Sequence, residues 1–393
     1  MKSKMLLVAL VLPLMLVGQE KITVIGLGRL GLCMALAFER AGLAVMGVDL
    51  SQSYIDTLNN KKFVSNEPFV EEYLTKSNSF YATTSLEEGL NFSDIYFVVV
   101  DTPSSLGEAY DHSKLSRLFS KINKQQVRNK HVVICCTIFP GYIRNVAMLL
   151  LQDCENTSIS YNPEFIAQGS IIHDFENPDM VLIGEGSTEA GDKLESIYRK
   201  VCRNEPKFAR MNAESAEVTK LAINCFLTTK IAYANMVGDI ADQTNGADKF
   251  DILNAVGLDS RIGSKYLKPG YGFGGPCFPR DNRALGAYAE QVGIKPIIPC
   301  ATDAANKEHA RYMAESLAQT RRERYVFEDV NYKDNCSVII IEESQKLSVA
   351  EILAKKGCKV LIKDRAELIH EVQGKYGFLF DYEIVDCALK KAE

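Results

Sequence analysis

The chain has 393 residues, 47% of them apolar and 24% charged, with a formal net charge of −5. That length accommodates two or three domains with cores of their own, and the mild acidity excludes the basic surplus that marks a nucleic-acid binder. Eleven cysteines, an odd number without C-x-x-C spacing, read as mostly buried thiols in a reducing compartment rather than a disulfide or metal framework.

Residues 1–20 read as an apolar N-terminal extension. Lys2 and Lys4 precede an unbroken apolar run from Met5 to Val17, which has the form of a secretory signal. The run is too short to span a bilayer, so no stable membrane anchor is expected. Large residues, Leu16-Val17-Gly18-Gln19, stand where cleavage requires small ones, and a strand begins at once with Lys21. An irregular extension ahead of a cytoplasmic enzyme is therefore favoured over secretion.

From residue 21 to 210, short β-branched runs alternate with helical patterns. Strands are predicted at Ile22–Ile25, Val45–Val48, Ile95–Val100, Val132–Cys136, Ile159–Tyr161 and Val181–Ile183, with helices such as Leu30–Ala41, Ser113–Asn123 and Ile143–Gln152 between them. Near-continuous apolar strands suit a parallel sheet covered on both faces, hence an α/β fold with a Rossmann-type doubly wound sheet. The first strand runs into Gly26-Leu27-Gly28-Arg29-Leu30-Gly31, which opens a helix. The order strand, G-x-G-x-x-G, helix is that of a dinucleotide fingerprint: Gly26 permits the turn, Gly28 admits a pyrophosphate, and Gly31 lets the helix pack closely. Asp49 ends the second strand, where a carboxylate accepts from ribose hydroxyls and repels a 2′-phosphate. The cofactor expected is NAD. The competing reading is a glycine turn in an α/β domain that binds nothing.

Residues 211–325 read as a central helical domain for dimerisation and catalysis. A long helix is predicted from Asn212 to about Gln243, apolar on nearly every side around Val218–Leu227 and therefore buried. Lys220 and Asn224 interrupt it at i and i+4, on one face. They are either partners of a core carboxylate or a pair of donors aimed at a developing oxyanion. Pro269 to Pro279 is a loop of four glycines and three prolines that can form neither helix nor strand. Within it Cys277 precedes the next helix, where the helix dipole and Arg280 would favour a thiolate. A structural cysteine and a working nucleophile remain equally open at this point. Helical patterns resume from Arg280 to about Ala318, and Arg321–Arg324 reads as a linker.

Residues 326–393 form a short C-terminal α/β domain, with a strand at Val338–Ile341, a helix at Val349–Lys356 and a strand at Val360–Ile362.

Several ordered blocks resemble the UDP-glucose/GDP-mannose dehydrogenase family: Thr137-Ile138-Phe139-Pro140-Gly141, Asn162-Pro163-Glu164-Phe165-Ile166, Lys220 to Asn224, Arg261-Ile262-Gly263 and the Cys277 loop. The resemblance runs from about Lys21 to Ala318. It implies oxidation of a sugar C6 alcohol with two NAD in succession, through a thiohemiacetal and a thioester on Cys277. By the same resemblance Lys220 and Asn224 stabilise an oxyanion, Asp281 and Thr137 position water, and Glu164 serves acid–base and hydrolysis steps. Leu30, Thr102, Thr137 and Arg280 join the cofactor site. Glu164, Phe165, Lys220, Asn224, Tyr271, Phe273 and Gly274 join the nucleotide-sugar site, with Arg261 reaching into that of a neighbouring subunit, hence a homodimer built on the long helix. The Gly-Gly-Pro-Cys-Phe-Pro-Arg-Asp context favours UDP-glucose, then GDP-mannose.

Three departures stand out: Asp101 before Thr102-Pro103, Gln168 in place of an acidic residue, and a shortened C-terminal domain. There Glu342-Glu343 replaces a basic loop and would repel a diphosphate. Two alternatives compete. A single-step hydroxyacid dehydrogenase would have no use for the glycine-framed thiol. A non-catalytic NAD- or nucleotide-sensing homologue would have lost substrate binding through the tail.

Overall fold

A computed structural model describes residues 18–103 and 110–385; the signal-like run Met5–Val17 lies outside them. The chain divides into two compact units, meeting in sequence at Val218 and Thr219. Among the described residues no helix is long and apolar enough to cross a membrane.

The first unit is an eight-stranded sheet of β1 (Lys21–Ile25), β2 (Ala44–Val48), β3 (Phe80–Thr83), β4 (Ile95–Val98), β5 (His131–Ile134), β6 (Ser158–Tyr161), β7 (Met180–Glu185) and β8 (Lys207–Asn212). Their order is β3-β2-β1-β4-β5-β6-β7-β8, and only the β6–β7 pair is antiparallel. The sequence of crossovers on either side of β1 is that of a doubly wound dinucleotide-binding sheet. Strands β1, β2, β4 and β5 are buried almost throughout, as expected for parallel strands covered on both faces. Two strands, β3 and β8, escape sequence reading because they are the edges. In β8 Lys207 and Asn212 are exposed and Arg210 pairs with Glu185, Asp192 and Glu195, while β3 offers only Phe80-Tyr81-Ala82-Thr83, with Tyr81 exposed and no β-branched apolar run. The helix expected at Ile143–Gln152 opens instead as a π-helical turn, Ile143–Ala147, and ends at Leu150, before a turn closed by the Cys154 N–H on Leu151 C=O.

The second unit holds most of the long helix Ala213–Asp242, the helices Lys249–Leu258, Phe278–Gln291 and Ile297–Gln319, and a small parallel sheet. That sheet has the order β11-β10-β9, from β9 (Tyr325–Glu328), β10 (Val360–Asp364) and β11 (Asp381–Ile384). It packs with the helices Gln345–Lys355 and Ala366–Tyr376 around a core that includes Ala310 and Ala314.

Two sequence expectations need correction here. Val338–Ile341 is not a strand. Its backbone is taken by the buried side chain of Asn331, which accepts from Ile340 N–H at 2.8 Å and donates to Val338 C=O at 2.5 Å. Those groups are thereby lost to a sheet ladder, and the strand lies earlier, at Tyr325–Glu328.

Nor is the long helix buried all round. Its hidden side mixes apolar residues such as Ala216, Leu221 and Ala234 with polar ones, Glu217, Lys220, Asn224, Thr228 and Asn235, each at most 6% exposed. A second apolar stripe is open: Phe226, Tyr233, Met236 and Ile240 are 65%, 50%, 47% and 57% exposed. Apolar residues recurring on both stripes looked like full burial; only packing distinguishes a covered stripe from an available one.

Candidate active site

Each unit carries part of the predicted constellation. In the first, β1 delivers Gly26, whose φ of +96° permits the tight turn while its N–H bonds Val48 C=O of β2 at 2.8 Å. A Cβ on Gly31 would stand 1.9 Å from Gly26 C=O, so only glycine lets the helix Arg29–Arg40 start there. At Gly28 an added Cβ meets open space, as required where a pyrophosphate approaches. Leu30 follows in the first turn of the same helix. Asp49 accepts from Leu27 N–H through Oδ2 at 3.0 Å, which ties the carboxylate to the glycine loop. These groups fit an adenine dinucleotide: free helix N–H groups for its phosphates and a carboxylate for its ribose.

The departing residues also sit at this end of the sheet. Asp101 turns outward to Lys114, 3.0 Å away, and leaves Thr102 to donate to Thr137 C=O at 2.7 Å. Gln168 accepts from Arg29 of the glycine loop. Tyr198 Oη lies within hydrogen-bond reach of Glu164 and, at 2.6 Å, of Asn162 Oδ1, so its single O–H is shared between the two and a buried phenol stands against Glu164. Phe165, beside it, packs on the sheet core.

Three anchors here were not anticipated from sequence. Glu217, fully buried, accepts from Gly141 N–H at 2.6 Å and Ile143 N–H at 2.9 Å, fixing the loop that carries Thr137. Burial pushes its carboxyl group up, partly offset by those two bonds. Glu67 does the same for the loop beyond Glu164, accepting from Gly169 and Ile171 N–H at 2.9 and 2.7 Å. His112 accepts from Phe139 N–H at 3.1 Å and stacks on Tyr142; burial lowers its pKa to about 4, which keeps the ring neutral. The signal for Glu217 was present, since it continues the Lys220–Asn224 stripe one turn earlier. Glu67 left no local trace.

In the second unit, Lys220, Asn224, Cys277 and Asp281 come together. Cys277 is the residue before the helix Phe278–Gln291, with Pro279 in its first turn. Asp281, one turn on, is 1% exposed and accepts from Asn224 Nδ2 at 2.6 Å. Cys225 Sγ lies 3.3 Å from Asp281 C=O. Lys220 is buried and, with Arg280, acts electrostatically on the thiol.

The thiol itself corrects the expectation from helix dipole and Arg280. Cys277 is exposed as a residue, yet the surrounding protein desolvates its sulfur. The lost hydration pushes the thiol above its ordinary range, Asp281 and Glu342 add to that, and Lys220 and Arg280 oppose. Desolvation outweighs the two cations.

Around the thiol, Phe273 is buried and Tyr271 lies under Lys346, 5.7 Å from its ring centre. Gly274 is required because a Cβ would stand 2.2 Å from Glu343 C=O. Glu343 is not the free negative charge foreseen: Arg283 donates to both its oxygens, at 2.7 and 2.8 Å. Arg261 stands apart, 86% exposed at its side chain and paired with Asp259.

A doubly wound sheet with this glycine turn and this carboxylate defines an NAD-binding dehydrogenase domain. Residues 20–202 match the UDP-glucose/GDP-mannose dehydrogenase family, NAD binding domain, and residues 214–308 match the central domain of the same family. UDP-glucose 6-dehydrogenase of Rickettsia conorii is 34% identical over 304 residues, covering 76% of this chain and 69% of that protein. GDP-mannose 6-dehydrogenase of Pseudomonas aeruginosa is 28% identical over 359 residues, covering 88% and 81%. Among solved structures, a UDP-glucose dehydrogenase from Pyrobaculum islandicum superposes with a TM-score of 0.83 at 28% identity, covering 93% of this chain and 86% of that one. The chain belongs to the UDP-glucose/GDP-mannose dehydrogenase family.

Proposed function

We propose that the protein oxidises the C6 hydroxyl of a nucleotide sugar to the carboxylate in two NAD-dependent steps, with UDP-glucose the first candidate substrate and GDP-mannose the second. The observation that carries the proposal is the buried Asn224–Asp281 pair set one helical turn from a glycine-framed Cys277, with Lys220 on the same helix face. NAD, when bound, accepts the hydride at each oxidation. Cys277 adds as thiolate to the C6 aldehyde to give a thiohemiacetal, whose oxidation leaves a thioester; water releases the uronate and returns the thiol. A thiolate suits both roles because it is a strong nucleophile and a good leaving group.

Lys220 and Asn224 stabilise the oxyanion at C6. Asp281 and Thr137 orient water, and Glu164 exchanges protons during hydrolysis. Thr102 and Arg280 support the cofactor, and Phe165, Tyr271, Phe273 and Gly274 enclose the sugar. Within the chain, 21–210 binds NAD, 211–325 carries the nucleophile, and 326–393 meets the nucleotide. Ten free cysteines among the described residues support a reducing, cytoplasmic setting.

Counting NADH formed per UDP-glucose consumed tests the reading: two per sugar is the expected result, and one would leave the thiol without a role. NAD binding without turnover on any nucleotide sugar would favour the sensing homologue.

The open stripe of Phe226, Tyr233, Met236 and Ile240 supports a homodimer on the long helix, with Arg261 offered to the neighbouring site. Light scattering is expected to give a dimer that Phe226→Asp converts to monomer; a monomeric parent protein at micromolar concentration would refute it.

A further inference from the structure

The loop from Pro269 to Cys277 has no regular structure, so its backbone polar groups need partners from elsewhere. Three buried side chains supply them. Asn235 of the long helix accepts from Gly270 N–H at 2.9 Å and reaches Tyr271 C=O at 3.4 Å. Asn306 accepts from Phe273 N–H and donates to Phe273 C=O, both at 2.9 Å. His309, one turn beyond Asn306, is 8% exposed and touches two groups at once: Nε2 lies 2.6 Å from Gly270 C=O, and Nδ1 lies 2.8 Å from Asp239 Oδ2 and 3.0 Å from Oδ1.

Both of those groups are acceptors. A neutral imidazole has one donor nitrogen and one acceptor nitrogen, so either tautomer would set an acceptor against an acceptor. With Asp239 as carboxylate, only the doubly protonated ring satisfies both contacts. We propose that His309 is a positioning residue for the nucleophile loop, held as an imidazolium between the Asp239 carboxylate and the Gly270 carbonyl. The proposal rests on Cys277 being the nucleophile that the loop presents.

The charged neighbours do not compete for the ring. On the histidine's own helix, Lys307 pairs with Asp303 and Arg311 with Glu308. On the helices packed nearby, Lys249 pairs with Asp242, and Lys346 lies over Tyr271 and bonds Asp334. Asp239 is left as the carboxylate facing His309. A charge-assisted bond of this kind is stronger than a neutral one and fixes the carbonyl in direction as well as distance. With Gly270 held, the turn through Phe273 and Gly275, itself bonded to Glu342 C=O at 2.9 Å, sets where Cys277 lies.

The test uses the full-length protein and two independent readouts. In 15N-detected NMR at pH 7, with the resonance assigned through His309→Gln, both ring nitrogens of His309 are expected to show imidazolium shifts. Asp239→Asn should return the ring to a neutral pattern. Either variant is expected to lower kcat about tenfold while leaving the KM for NAD unchanged, because one charge-assisted bond in the loop is lost. A neutral His309 ring in the parent protein would overturn the proposal, as would unchanged kcat in both variants. Failure of the Cys277 reading looks different: Cys277→Ser would stay active while His309 remained doubly protonated.

Discussion

Cys277→Ser is expected to reduce turnover by roughly 1,000-fold or more while leaving the fold intact. The structure makes both halves of that statement specific. Cys277 is exposed, precedes its helix without a side-chain capping bond, and fills no core, so its replacement should shift stability by less than about 0.5 kcal/mol. The chemical loss is large because an alkoxide formed from serine at neutral pH is scarce and leaves poorly from an ester. Supplying the C6 aldehyde in place of the alcohol should not rescue the variant, since the thiol is needed after the first oxidation. Thermal unfolding and steady-state NADH formation measured together check the prediction. Full turnover by the serine variant would end the thioester mechanism.

Asp281→Asn should separate thiol reactivity from catalysis, with the two moving in opposite directions. Burial raises the Cys277 thiol first and the Asp281 carboxylate raises it further, so removing that charge lowers it. At pH 8 more of the sulfur is then thiolate, and alkylation by iodoacetamide should quicken several-fold, with its pH profile displaced to lower pH. Turnover should nonetheless fall roughly 100-fold, the scale for misplacing a reacting group, here the attacking water. The amide oxygen can still accept from Asn224 Nδ2, as the carboxylate does in the parent protein, which preserves the buried pair. If turnover rises along with alkylation, Asp281 acts only by raising the thiol, and its part in orienting water is wrong.

Much of the first unit was legible because its signals are local. A turn that needs a glycine, a helix that starts at once, and a carboxylate at the end of the next strand all follow from residues adjacent in the chain. The edge strands β3 and β8 were not legible: β3 has no β-branched apolar run, and β8 interleaves Lys207, Arg210 and Asn212 with its apolar positions. Val338–Ile341 has a strand's composition, but no sequence rule foretells that Asn331 will take its hydrogen bonds.

The sequence alone determined the NAD fingerprint, the Lys220–Asn224 spacing on one helix face, and a glycine-framed thiol at a helix start. Each is a matter of backbone permission or helical periodicity. Tertiary structure decided which stripe of the long helix is covered, that Arg283 occupies Glu343, and that Asn235, Asn306 and His309 hold the thiol loop. It also reversed the expected direction for the Cys277 thiol. The physical reason is common to all four: burial and pairing depend on groups brought together from distant parts of the chain. Desolvation of a sulfur can then exceed the pull of two nearby cations.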